Sequence, residues 1–198
     1  MRNLFSALLC AAAFAAPSAF AANLITDGDF SAATLAAWTQ GGDPLLQYVG
    51  YDYSYIPLTN EFNHVFSDGN YASAGLLGQQ VATAPGYRYT LEFDLQRADT
   101  SFGALPAIND SEVLFNGVVV WHQTNTSSEW THYVVSNLST NKASTLLQFS
   151  NRNFYDVTAI DNVSLVLSAV PEPSSALMLS LGLGGLLLAG RAKRRRPD

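Results

Sequence analysis

The chain has 198 residues, 48% hydrophobic and 13% charged, with a formal net charge of −6. That figure hides a sharp partition: residues 22–168 carry four Lys/Arg against fourteen Asp/Glu, a net of −10, whereas five Lys/Arg crowd the last eight residues. So acidic a middle repels phosphate and excludes nucleic acid as a partner. The single cysteine, Cys10, sits near the start, which leaves no disulfide framework and no thiol chemistry for the rest of the chain.

The first elements in chain order are those of an export leader. Arg2 is a one-charge n-region, Leu4–Phe14 is a short apolar run, and Ala19-Phe20-Ala21 offers small residues where a signal peptidase needs them. Residues 1–21 therefore read as a signal peptide, with the mature chain starting at Ala22 or Asn23. Ala7-Leu8-Leu9 puts a bulky residue next to Cys10, which argues against lipidation. Residues 22–168, 147 in number, suffice for one domain with a real core.

Strand signals dominate that domain. Ser31–Trp38 has room for one helical turn, and no 11-residue stretch shows helical periodicity. Tyr87, Tyr89, Leu91, Phe93 and Leu95 alternate with Arg88, Thr90, Glu92, Asp94 and Gln96, the period of a half-buried strand. Val113–Phe115 and Val118–Trp121 flank Asn116-Gly117, a strong hairpin signal that favours a type I′ turn. Trp130–Val135, Thr145–Phe149 and Val163–Leu167 are three further strand-like runs. Many short strands between Gly/Asn/Asp/Ser turns predict an all-β, antiparallel sandwich.

The same domain carries a family resemblance. Asn23–Phe30 followed by Trp38, then Gln79-Gln80-Val81, Pro85–Phe93, Phe115-Asn116-Gly117, Glu129-Trp130-Thr131 and Ile160–Leu165 together resemble galactose-binding-like jelly rolls, the fold of many carbohydrate-binding modules. In such proteins the N-terminal loop and the Asp before the last strand meet around a structural calcium ion. The resemblance thus implies a calcium site at Asp27, Asp29 and Asp161, which Asp68 could join, since Ca²⁺ prefers carboxylate and carbonyl oxygens. Asp27 and Asp161 serve equally well as turn or capping residues.

Other candidate chemistry is sparser. Tyr51, Tyr53 and Tyr55 alternate with Asp52 and Ser54, and Tyr48 lies just upstream. Exposed, the three would form a platform for stacking on sugar rings, with Asp52, Asn60 or Asn63 bonding hydroxyls; buried, they are core aromatics; as a third reading the segment is a loop packed over the sandwich. His64, His122 and His132 are too scattered for a metal motif. Glu92 and Asp94 share a face of one strand, so a carboxylate pair for glycoside hydrolysis is conceivable, although the domain is small for a hydrolase cleft.

The chain closes on three parts in a fixed order. Val170, Pro171, Glu172, Pro173 and Ser174 come first, the uncharged segment to Gly190 second, and the basic cluster Arg191–Arg196 last. The 17 residues from Ser174 to Gly190 would span about 25 Å as a helix, at the short end for a bilayer core of about 30 Å. Positive residues beyond it stay cytoplasmic. Residues 175–190 thus read as a transmembrane helix within a tail of residues 169–198. The tail resembles a PEP-CTERM sorting signal, which implies recognition near Pro171-Glu172-Pro173 by an exosortase-type enzyme, in bacteria that make exopolysaccharide. The expected function is a non-catalytic surface or matrix protein associated with exopolysaccharide. The alternatives are a purely structural envelope protein and, less favoured, a small polysaccharide-active enzyme using Glu92 and Asp94.

Overall fold

A computed structural model of the chain describes residues 22–44, 46–51, 64–69, 73–99, 108–154, 156–168 and 182. The signal peptide, the sorting motif Val170–Ser174, the apolar segment (apart from Gly182) and the basic cluster lie outside the described residues. Among the described residues no helix is long and apolar enough to cross a membrane.

Among the described residues ten strands form two five-stranded antiparallel sheets. The strands are β1 (Thr39–Gly42), β2 (Gln47–Tyr51), β3 (His64–Asp68), β4 (Gly75–Ala82), β5 (Tyr89–Asp99), β6 (Ile108–Phe115), β7 (Val118–Thr124), β8 (Thr131–Leu138), β9 (Ser144–Phe154) and β10 (Asp156–Leu167). The first sheet has the order β1-β4-β9-β6-β7 and the second β2-β3-β10-β5-β8. The expected antiparallel sandwich is therefore the fold observed. Ser31–Trp38 forms turns and bends, with no helix. Left-handed backbone at Phe30 (φ 49°) and Ala33 (φ 53°) breaks any helical run there.

Alternation within the strands builds the core. Leu91, Phe93 and Leu95 of β5 are buried and face Val113, Leu147 and Phe149 of the other sheet. Phe30 stacks between Trp38 and Phe66, with ring centroids 5.5 and 5.9 Å apart, so the N-terminal loop supplies one end of the core. Phe93 lies against Trp121, Tyr133 and Phe149 within 5.4 Å, and Trp121 meets Tyr133 edge-on at 4.9 Å. Those aromatics close the open side of the sandwich, between edge strands β7 and β8, where burial would otherwise fail. The Asn116-Gly117 turn has φ of 56° and 77°, the positive pair that a type I′ hairpin needs.

One end of the interior is polar. Asn109 donates through Nδ2 to Thr126 Oγ1 (2.6 Å) and Thr158 Oγ1 (3.2 Å), and Thr158 Oγ1 donates to Asn153 Oδ1 (2.7 Å). Asn153 Nδ2 donates to the Asp68 carbonyl (2.7 Å), and Gln47 Nε2 donates to Asp68 Oδ2 (3.1 Å). All six of these side chains are buried. Because buried polar groups are tolerable only when bonded, this chain of bonds fixes how the two sheets meet.

Candidate functional site

The outer face of the second sheet gathers most of the chemistry. On β2, Gln47 and Val49 face inward, so Tyr48 and Gly50 face outward. A Cβ on Gly50 would lie 2.9 Å from Tyr48 Cε2 and 3.2 Å from Cδ2, so one edge of the tyrosine ring rests beside the glycine of its own strand. Tyr48 is 53% exposed. Register carries the row onward: Tyr48 opposes Ser67, Ser67 opposes Ala159, and Ala159 opposes Gln96. Five strands at the usual spacing make this face about 19 Å wide.

The far side of the face is polar and internally bonded. His132 on β8 opposes Asp94 on β5, and its Nδ1 lies 2.7 Å from Asp94 Oδ1. His132 Nε2 is 3.6 Å from Glu92 Oε2. Asn162 Nδ2 donates to the second Asp94 oxygen at 2.7 Å. Asn162 reaches there because β10 bulges between Asp161 and Ser164, and Asn162 takes left-handed backbone (φ 51°). Glu92 and Asp94 do share a face, as their spacing predicts. Each oxygen of Asp94 nonetheless meets a protein group, His132 at one and Asn162 at the other, an arrangement that orders the face. Arg88, expected on the same face, precedes β5, and its Nη1 donates to the Asn137 carbonyl at 3.4 Å. The participation of His132 and Asn162 is not marked in the sequence, because it depends on strand register across 38 and 68 residues.

The N-terminal loop sits behind the bulge. Val163 N donates to the Gly28 carbonyl at 2.8 Å, and a Cβ on Gly28 would fall 2.0 Å from Val163 O, so no other residue fits without displacing backbone. Asp27 accepts from Ala32 N through Oδ1 (3.0 Å), and Asp29 accepts from Ser31 N through Oδ1 (3.3 Å). Both thus bond backbone N–H groups of the turns that follow them. Asp27 Oδ2 is buried and lacks a hydrogen-bond partner among the described residues. Asp27 and Asp29 line one shallow pocket with Asn162, Val163 and Ser164, next to Asp161 in the chain. Asp161 is itself buried and accepts from Asn162 N at 2.7 Å. Asp68 is not brought to this place. It opposes Thr158, three residues from Asp161 along β10, and faces the interior while Asp161 pairs with Asp94 on the outer face. Among the described residues no group of three or more His, Cys, Asp or Glu side chains is arranged to hold a metal ion.

The tyrosine run is only partly visible. Tyr51 ends β2 opposite His64. Asp52, Tyr53, Tyr55, Asn60 and Asn63 lie outside the described residues. His122 pairs with Asp110 at 2.6 Å on the outer face of the first sheet, remote from the other histidines.

The described domain ends at Ser168, where the closing tripartite tail begins. Residues 169–196 match the PEP-CTERM protein-sorting motif. The motif implies export and C-terminal membrane anchoring before processing by an exosortase. No curated protein matches the chain. Among solved structures, the carbohydrate-binding module TmCBM61, in complex with β-1,4-galactotriose, is 15% identical; the match covers 75% of this chain and 100% of that one, with a TM-score of 0.55. The CBM22-1 xylan-binding domain of Paenibacillus barcinonensis Xyn10C is 12% identical over 76% of this chain and 97% of its own, with a TM-score of 0.53. The enzymatically active domain of tailspike protein 4 from bacteriophage CBA120 is 18% identical over 74% of this chain but only 21% of its own, with a TM-score of 0.51. The domain that precedes this motif is thus similar in fold to the β-sandwiches of carbohydrate-binding modules.

Proposed function

We propose that this PEP-CTERM protein is a non-catalytic glycan-binding protein that accompanies exopolysaccharide at the cell surface after exosortase processing. The observation carrying the reading is Tyr48, a half-exposed ring on an outer sheet face, braced by one edge against Gly50. A half-exposed aromatic ring braced on its own strand suits the C–H face of a pyranose, and it loses little rotamer freedom on binding. Gln96 and Glu92 on β5 and His132 on β8, about 14–19 Å across that face, offer donors and acceptors for the hydroxyls of further sugar units. The likeness in fold to sugar-binding modules supports this reading, and the engagement of both Asp94 oxygens supports a binding role over a hydrolytic one.

The test is titration of the exported chain with exopolysaccharide fragments and β-linked galactans and xylans. Tyr48→Ala should weaken binding about 5- to 12-fold, the equivalent of about 1–1.5 kcal/mol for one stacking ring. Absence of binding to any glycan, or full affinity in Tyr48→Ala, would overturn it. In that event the structural envelope role becomes the better reading.

A structural calcium ion forms part of the proposal, at a narrower site than the sequence suggests. The unpartnered Asp27 Oδ2 and the exposed Asp29 beside Asn162–Ser164 suit a hard cation, whereas Asp68 does not contribute.

A further inference from the structure

We propose that the end of the sandwich from which the sorting tail leaves is a docking surface for anionic phospholipid. The proposal rests on the tail being held in the membrane.

Register brings five segments to this pole. Leu167 opposes Tyr89, Tyr89 opposes Leu138, and Ala82 opposes Ser144, while the Asn116-Gly117 turn lies beside Leu146. Ser168 N donates to the Arg88 carbonyl (2.8 Å) and Leu24 N to the Leu165 carbonyl (2.8 Å). Leu24 and Ser168 therefore both lie here, within a few residues in sequence of the leader and the tail.

The charge at this pole is opposite to that of the domain. Residues 22–24, 82–90, 115–118, 137–144 and 166–168 include no Asp or Glu, although the domain has fourteen. They do include Arg88 and Lys142, half of its four cations, and both are exposed. Between and beside these charges stand apolar groups open to solvent: Tyr87 at 51%, Leu167 at 40% and Val118 at 62% exposure. Tyr87 and Leu167 line one shallow trough with Leu24. Cations beside exposed aromatic and aliphatic side chains suit the interface of a bilayer with anionic headgroups. The remaining surface is strongly acidic and is repelled from the same headgroups, so the charge distribution selects one orientation. Only Ala169 and Val170 separate the pole from Pro171-Glu172-Pro173. Docking in this orientation holds the sorting motif at the membrane surface.

The experiment uses the full chain with Cys10→Ala, reconstituted in vesicles of phosphatidylethanolamine and phosphatidylglycerol containing brominated lipid. A fluorophore is placed at Asn141→Cys on this pole or at Ser128→Cys in the β7–β8 loop at the opposite end, both exposed positions. Quenching should be several-fold stronger at position 141 than at 128. It should fall to the level of 128 in Arg88→Glu/Lys142→Glu, because each basic residue near an anionic surface is worth about fivefold in the docked population. It should also fall when phosphatidylcholine replaces the anionic lipid, a comparison that needs no variant. Equal quenching at the two positions in vesicles that carry the chain on flotation would overturn the docking surface alone. Unchanged quenching in phosphatidylcholine would mean that the tether by itself brings the pole close, and would overturn it too. A chain that does not float with vesicles would remove the membrane-bound tail and the docking surface together.

Discussion

Gly28→Ala isolates the clasp between the N-terminal loop and the β10 bulge. The added Cβ would meet Val163 O at 2.0 Å, Val163 C at 3.0 Å and Ile25 Cγ2 at 3.1 Å. The first two are backbone atoms of a central strand and have no rotamer into which to retreat. Relief requires the loop to lift, which lengthens the 2.8 Å bond from Val163 N to the Gly28 carbonyl and loosens Phe30 above Phe66. Overpacking costs about 1–3 kcal/mol and a lost hydrogen bond about 1 kcal/mol, so the sum is roughly 2–4 kcal/mol. At about 3 °C per kcal/mol for a domain of this size, the melting temperature should fall by roughly 6–12 °C. Gly41→Ala is the control: its Cβ would sit 3.5 Å from Leu76 Cβ, an ordinary contact, and the change should be neutral or stabilise by up to about 1 kcal/mol. Thermal unfolding of the exported chain followed by circular dichroism measures both. A Gly28→Ala protein melting within about 2 °C of the parent, or a Gly41→Ala protein falling as far, would refute the steric argument.

Two more measurements probe the neighbourhood of that clasp. Asn162→Gly keeps the left-handed bulge and loses only the bond to Asp94, whereas Asn162→Ala loses both, so in urea the alanine variant should be less stable than the glycine variant by about 1 kcal/mol; the reverse order would show that backbone strain at 162 is not what the asparagine relieves. Millimolar calcium should raise the melting temperature by roughly 2–4 °C for each kcal/mol of linked binding, and Asp27→Asn should abolish the rise; equal melting in calcium and in chelator would leave Asp27 and Asp29 as capping residues only.

The legible parts of the fold are those where local chemistry and burial agree. β5 alternates because one of its faces packs on the core and the other carries Glu92, Asp94 and Gln96. Asn116-Gly117 announces its hairpin because few residue pairs accept two positive φ angles. β1 to β4 are less visible. Thr39–Gly42 contains two glycines, and Gly75–Ala82 buries Gly75, Leu77, Gly78, Gln79 and Val81, which blurs a period of two. Gln79 is buried because its amide bridges Thr26 and Ala37, bonds from a loop that leaves no periodic trace. The polar interior misleads in another way: Asn109, Asn151 and Asn153 are buried yet read as exterior residues. At the candidate site the paired carboxylates are visible in the sequence, but their histidine and asparagine partners are not. A one-residue slip in register would send His132 to the other face of its strand.

The position of β10 bears on how the molecule carries load. The strand that runs into the sorting tail is the middle strand of its sheet, flanked by β3 and β5, with ten of its residues in register against β5. A pull applied through Ser168, by flow on a surface-held protein for example, acts along that strand. It must shear the ladder against β5, which runs to Leu167, and beyond it the shorter ladder that joins Thr158–Ile160 to β3. Tethered at this point, the sandwich meets tension in the direction in which a sheet yields last.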